Sequence, residues 1–220
     1  LTEMGARVAR SIARPETEIV AATGRFGARY LTTRAAAAVA AHAVLDTFAR
    51  EGQGADAVVI ACFGDPGLFA LRELSPVPVI GMAEASCHLA STLGRKFSIV
   101  TGGHAWGPML EEFVATRVLA AETALSTESA AVEETEAQAT ARQISEIDAE
   151  FVAAIGLSSN LASVRTVEQS GSDIAAMPDE ALTSLKSACI ETIEEDGADA
   201  VILGGLGLAG LAERIAGDIP

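Results

Sequence analysis

A phrase that occurs twice constrains this chain more than any other feature. Gly54-Ala-Asp-Ala-Val-Val-Ile-Ala-Cys62-Phe-Gly-Asp-Pro-Gly67 returns as Gly197-Ala-Asp-Ala-Val-Ile-Leu-Gly-Gly205-Leu-Gly-Leu-Ala-Gly210. Each copy runs an unbroken apolar stretch into a glycine-rich turn. Continuous rather than alternating apolar residues mark a parallel strand covered on both faces. Overlaying the copies sets Cys62 against Gly205, so the fold is expected to be organised around the place where these two strand ends meet.

The rest of the chain alternates strand and helix at short intervals. Leu1–Arg14 is helical in pattern and is closed by Pro15. Glu18–Thr23 reads as a short strand entering a turn at Gly24 and Gly27, and Thr33–Arg50 as an alanine-rich helix without a breaker. Then come a strand at Ala57–Cys62, a helix at Leu68–Leu74, a strand at Pro76–Ile80, a helix at Ala83–Leu93 and a strand at Lys96–Thr101. A helix starts at Trp106. After the irregular stretch discussed below, a strand is expected at Ala162–Val167. The helix Pro178–Asp196 carries Leu182, Leu185, Cys189 and Ile193 on one face. A strand at Ala200–Gly204 and a helix at Leu208–Ile215 close the chain. The class is α/β with a mainly parallel sheet.

Residues 117–148 break the pattern, being rich in Glu, Ala, Thr and Ser without a firm apolar stripe. Glu-Phe-Val-Ala occurs at 112–115 and again at 150–153. The segment reads as an insertion, an acidic helical excursion or a disordered one.

The formal net charge of −15 leaves no basic face for nucleic acid and no attraction to an anionic membrane surface. The longest apolar run, Ala200–Ala212, is about thirteen residues and too short to span a bilayer. Three well-separated cysteines, Cys62, Cys87 and Cys189, show neither a disulfide framework nor zinc-ligand spacing. No metal is expected, and a reducing cytoplasm suits them.

The stretches Ala61-Cys62-Phe63-Gly64-Asp65-Pro66-Gly67, Pro78–Ala85, Ser98–Thr101 and Gly197–Leu211 resemble the aspartate/glutamate/hydantoin racemase superfamily, and most of all its hydantoin and allantoin racemases. The resemblance covers most of the chain outside 117–148. It implies two pseudo-symmetric lobes, each a mainly parallel sheet flanked by helices, with the site in the cleft between them. The first lobe would take residues 1–95 and the second 96–195, with 196–220 a return segment. An opening strand and a substrate-holding Asn-Pro-Asn-type loop before Leu1, and a closing strand and helix after Pro220, would lie outside this sequence. The resemblance also implies no cofactor, a small-molecule substrate and a homo-oligomer. In such enzymes one cysteine from each lobe faces each side of the substrate's α-carbon. Cys62 matches the first; the second falls at Gly205.

The chemistry asks for a base beside the α-proton and donors for the enolate oxygen. A cysteine at a strand end before a helix is expected to be favoured as thiolate by peptide N–H groups and the helix dipole. The N–H groups of Phe63 and Gly64, or of Leu206 and Gly207, would serve the oxyanion. Thr101 is a candidate carboxylate binder, and Gly205 lets the main chain approach a ligand. Asp65 fits either a site role or a cap on the helix that follows. Cys87 and Cys189 read as packing, and His42 as a surface or capping residue. His104 and Trp106 fit the cleft or ordinary packing alike. The expected activity is a cofactor-independent, racemase-like isomerase for a hydantoin-type or amino-acid-like substrate. The alternatives are a single-cysteine decarboxylase of the arylmalonate type and a catalytically impaired small-acid-binding relative.

Overall fold

The structure, a computed structural model, describes residues 1–124 and 160–220. Most of the 117–148 segment lies outside the described residues. The elements in order are α1 (Thr2–Ile12), α2 (Arg34–Glu51), β1 (Val58–Ile60), α3 (Leu68–Leu74), β2 (Val79–Gly81), α4 (Met82–Leu93), β3 (Phe97–Gly102), α5 (Trp106–Ala124), β4 (Leu161–Val167), α6 (Gly171–Ala176), α7 (Pro178–Glu194), β5 (Ala200–Gly204) and α8 (Ala212–Ile215). All described strand pairs are parallel. β1 pairs with β2 in one sheet, and the other has the order β4-β3-β5.

β3 is the axis of the larger sheet, and all six of its residues are buried. Its side chains alternate between two layers, as a pleated strand dictates. Phe97 and Ile99 pack with Cys87 and Ala90 of α4 and with Leu110 and Val114 of α5. Val100 points the other way, into Ile174 of α6 and Ala181, Leu185 and Cys189 of α7. A third cluster, Ile60, Leu68, Leu71 and Val79, seals the smaller sheet against α3. Cys62 packs against both this cluster and the α4–α5 layer, at the seam between the two sheets.

Two ion-pair groups fix helices to sheets. Arg72 of α3 grips Glu84 of α4 with both terminal nitrogens, at 3.2 and 2.6 Å, and donates Nε to the Val79 carbonyl of β2. Arg165 of β4 reaches Glu191, Glu195 and Asp196 at and beyond the end of α7, and Asp196 also accepts from Ser163.

Four local expectations differ from the structure. Glu18–Thr23 is extended but forms no ladder, and Val20 is 74% exposed; a strand exists only through a neighbour, and no described strand lies beside this one. The predicted helix Leu208–Ile215 is a 3₁₀ turn at Leu206–Leu208 followed by α8, because Gly210, at φ +82°, interrupts it. The short helix α6 was not anticipated. It is held by a capping box in which Ser170 and Asp173 bond each other's main-chain N–H. Finally, β1 is covered on one face only among the described residues. Val59 and Ile80, side by side in register, are 60% and 43% exposed.

Candidate active site

The first signature turn begins two residues past β1. The Cys62 carbonyl accepts from Asp65 N at 2.9 Å, and the turn is tight enough to hold Gly64 at φ +114° and Asp65 itself at φ +46°. A side chain at 64 would be strained twice over, since its Cβ would lie 2.7 Å from Cζ3 of Trp106. Trp106 therefore lies directly on the turn that carries Cys62. Asp65 is buried and does not cap α3, the helix that follows. Its two oxygens accept from Ala83 N at 2.9 Å and Glu84 N at 2.8 Å, in the first turn of α4. The N-cap of that helix is Gly81, which has no side chain to cap with, so Asp65 supplies the acceptors from a distance.

The second signature turn begins at Gly204 and Gly205. The two copies do meet: a Cβ on Gly204 would lie 2.6 Å from the Phe63 ring and 3.0 Å from Ile99, so the Phe63 ring is seated on the end of β5. Gly205 has φ +135° and ψ 137°, a conformation that glycine adopts and other residues resist. A Cβ built there would point between Leu208, at 3.3 Å, and the Thr101 hydroxyl, at 3.8 Å. Thr101 is buried and donates its hydroxyl proton to the Gly204 carbonyl at 2.6 Å, which leaves its oxygen only acceptor capacity. The Leu206 side chain packs toward Gly5 of α1, so any contact from residue 206 to a ligand would be through its main chain.

Among the described residues, the N–H groups of Phe63 and Gly64 meet no acceptor, and neither do those of Leu206 and Gly207. Each signature turn thus carries one pair of main-chain donors without a partner among the described residues.

The electrostatics of Cys62 differ from the sequence expectation of a thiolate. The thiol is pushed up to about 12, first by burial and then by the negative charge of Asp65. α3 does not offset this, because it starts six residues later, at Leu68, and runs for a single pair of turns. Burial dominates. As folded, Cys62 is a neutral thiol at physiological pH and so a proton donor first. Cys87 is fully buried and pushed up to about 12 by the same two causes, and Cys189 is raised to about 11 by burial alone. Both are packing residues.

His42 meets Phe26 edge-on at 5.1 Å. His104, exposed, bonds through Nδ1 with Thr166 Oγ1 at 2.9 Å, on the strand beside Thr101. A surface groove of about 250 Å³ between α2 and α5 is lined by Arg34, Ala37, Met109, Glu112, Phe113 and Thr116, none of which belongs to the signature turns. No group of three or more metal-ligating side chains occurs among the described residues, and no described helix is long and apolar enough to cross a membrane. Sequence reading passed over Tyr30 altogether. It is the chain's single tyrosine and sits in an irregular loop, where only its residue type could have drawn notice.

A parallel α/β protein in which a cysteine-bearing turn meets the end of a second, repeated strand has the outline of an isomerase of the racemase type. Comparison with known proteins makes the assignment firm. The Asp/Glu/Hydantoin racemase family matches residues 1–149 and 139–220, and the chain belongs to that family. It is 29% identical over 208 residues to the hydantoin racemase of Pseudomonas sp. (strain NS671), covering 94% of this chain and 68% of that protein. It is 30% identical over 164 residues to the hydantoin racemase of Paenarthrobacter aurescens, covering 74% of this chain and 53% of that one. The chain thus spans about two thirds and about half of these relatives. Among solved structures, allantoin racemase from Pseudomonas fluorescens superposes with a TM-score of 0.79 at 30% identity, over 100% of this chain and 78% of that one. The Klebsiella pneumoniae allantoin racemase gives a TM-score of 0.72 at 31% identity, over 99% and 74%.

Proposed function

We propose that the chain is a cofactor-independent racemase-like isomerase of a small hydantoin-type ring or amino-acid-like acid, with Cys62 transferring the α-proton in a cleft between two lobes. The observation that carries this is the meeting of the two signature turns. The Phe63 ring, next to Cys62, lies on Gly204, and each turn has main-chain N–H groups without a described acceptor, which supports the reading. In the forward step the ionised Cys62 sulfur takes the α-proton. The electron pair left on carbon moves into the carbonyl, whose oxygen gains charge and accepts from the Phe63 and Gly64 or Leu206 and Gly207 N–H groups. Return of a proton to the same face regenerates substrate; a proton from solvent water at the Gly205 side inverts it, and the hydroxide left behind takes the proton from Cys62, restoring the ionised sulfur. With the thiol raised to about 12, the ionised fraction grows tenfold per pH unit across the neutral range, so proton abstraction accelerates as pH rises.

Incubating one enantiomer of a 5-substituted hydantoin in heavy water tests this. Deuterium appears at the α-carbon with wild-type protein and not with Cys62→Ser. Absence of exchange, or exchange that survives the substitution, removes the reading.

One observation favours a second reading. A thiol favoured as neutral by burial and by the Asp65 charge is suited to protonating an enediolate on one face, as in a single-cysteine decarboxylase of the arylmalonate type. Release of carbon dioxide from an α-aryl malonate, lost in Cys62→Ser, distinguishes it from the first. A relative that binds small acids without turnover would show heat of binding and neither reaction.

A further inference from the structure

Tyr30 stands where the surroundings of the two signature turns come together. Its hydroxyl donates to the Gly102 carbonyl at the end of β3, at 3.1 Å, and accepts from the Gly171 N–H at the start of α6, at 2.8 Å. The nearby Trp106 indole, a donor only, acts on the phenol against the rise that burial imposes. The hydroxyl proton is committed to the Gly102 carbonyl, so Tyr30 has no proton to offer a substrate.

Trp106 and Gly171 each continue toward a signature turn. Trp106 lies on Gly64, two residues past Cys62. Gly171 is pressed between the Tyr30 ring and the second turn. A Cβ on Gly171 would fall 2.9 Å from Tyr30 Cε2, and a Cβ on Gly207 would overlap the Gly171 carbonyl. The contacts therefore run from Cys62 and Gly64 through Trp106, Tyr30 and Gly171 to Gly207 and the Gly205 turn.

We propose that Tyr30 is a positioning residue that sets the spacing of the two signature turns and holds Trp106 over the Cys62 turn. The inference rests on Cys62 being the reactive thiol of the site. It goes beyond the proposed activity in naming what fixes that thiol's environment. Removing the hydroxyl deprives the Gly102 carbonyl and the Gly171 N–H of a partner at once and takes the polar atom away from the Trp106 indole. With the ring retained, the change falls on alignment rather than on volume. Trp106 then loosens from Gly64, water reaches Cys62, and the thiol ionises more readily.

The test compares wild type with Tyr30→Phe. Peptide-resolved alkylation of Cys62 by iodoacetamide is followed from pH 7.5 to 10.5, together with the emission of Trp106, the chain's single tryptophan. Tyr30→Phe is expected to alkylate faster, by about tenfold for each unit by which the thiol pKa falls, and to shift Trp106 emission to longer wavelength. Trp106→Phe, which removes the indole donor from the other side, is expected to give the same change in alkylation. Leu185→Ala, in the opposite core layer, serves as a destabilised control and leaves the alkylation profile where it was. Unchanged alkylation in Tyr30→Phe and Trp106→Phe, or an equal change in Leu185→Ala, overturns the proposal. None of these measurements uses turnover, so a protein that exchanges no α-hydrogen still gives a clear answer here.

Discussion

At the scale of single residues, the site is governed by what surrounds one sulfur. Cys62 packs between two hydrophobic clusters with the buried Asp65 carboxylate nearby, and both raise its pKa. The expectation of a thiolate came from its place after a strand and before a helix; burial outweighs that. Asp65 was legible as a candidate cap or site residue, but its partners were not, because they lie in α4 rather than in the helix that follows it. Asp65→Asn separates its two effects. The amide offers one acceptor to two N–H donors, so stability should fall by about 1–3 kcal/mol in urea melts. Removing the negative charge should lower the Cys62 pKa and speed its alkylation at pH 8.5. A slower alkylation would show that the carboxylate does not act on the thiol through its charge.

At the scale of elements, strands and helices with their own periodicity were the most legible. The helix expected at Leu68–Leu74 and the strand at Ala200–Gly204 have those limits in the structure. Elements that depend on a neighbour or on a short motif were not. Glu18–Thr23 has strand composition without a partner, and α6 is specified by the Ser170–Asp173 box over six residues, too few for a period to show. In α7 the apolar face did place Cys189 in the core, where burial raises its thiol to about 11. The sign of its pH effect follows. In the unfolded chain the thiol ionises near 8.5; in the folded chain it stays protonated to a higher pH. Its stabilisation is complete below about 8.5 and is lost as pH rises through the folded value. Urea melts should show stability falling between pH 8.5 and 10.5 in wild type, by a slope of up to about 1.4 kcal/mol per pH unit from this one thiol. The slope should be shallower in Cys189→Ala. An equal slope would place the loss elsewhere.

At the scale of the whole molecule, the decisive contact is the Phe63 ring on Gly204, which joins the turn after β1 to the end of β5. An alanine at 204 would place its Cβ 2.6 Å from that ring and 3.0 Å from Ile99. Gly204→Ala is therefore expected to cost about 1–3 kcal/mol from overpacking and to alter the alkylation rate of Cys62 as the Phe63 turn shifts. If it costs stability without touching Cys62, the two turns are less closely joined than the packing indicates. By itself the sequence determined the parallel α/β class and the family, because continuous apolar runs and a repeated phrase are local records of main-chain state and burial. The tertiary structure alone decided that Cys62 is held as a thiol, that Asp65 serves α4 and that Tyr30 stands between the two turns. Those properties come from groups far apart along the chain, whose desolvation and hydrogen bonds exist only once folding has brought them into contact.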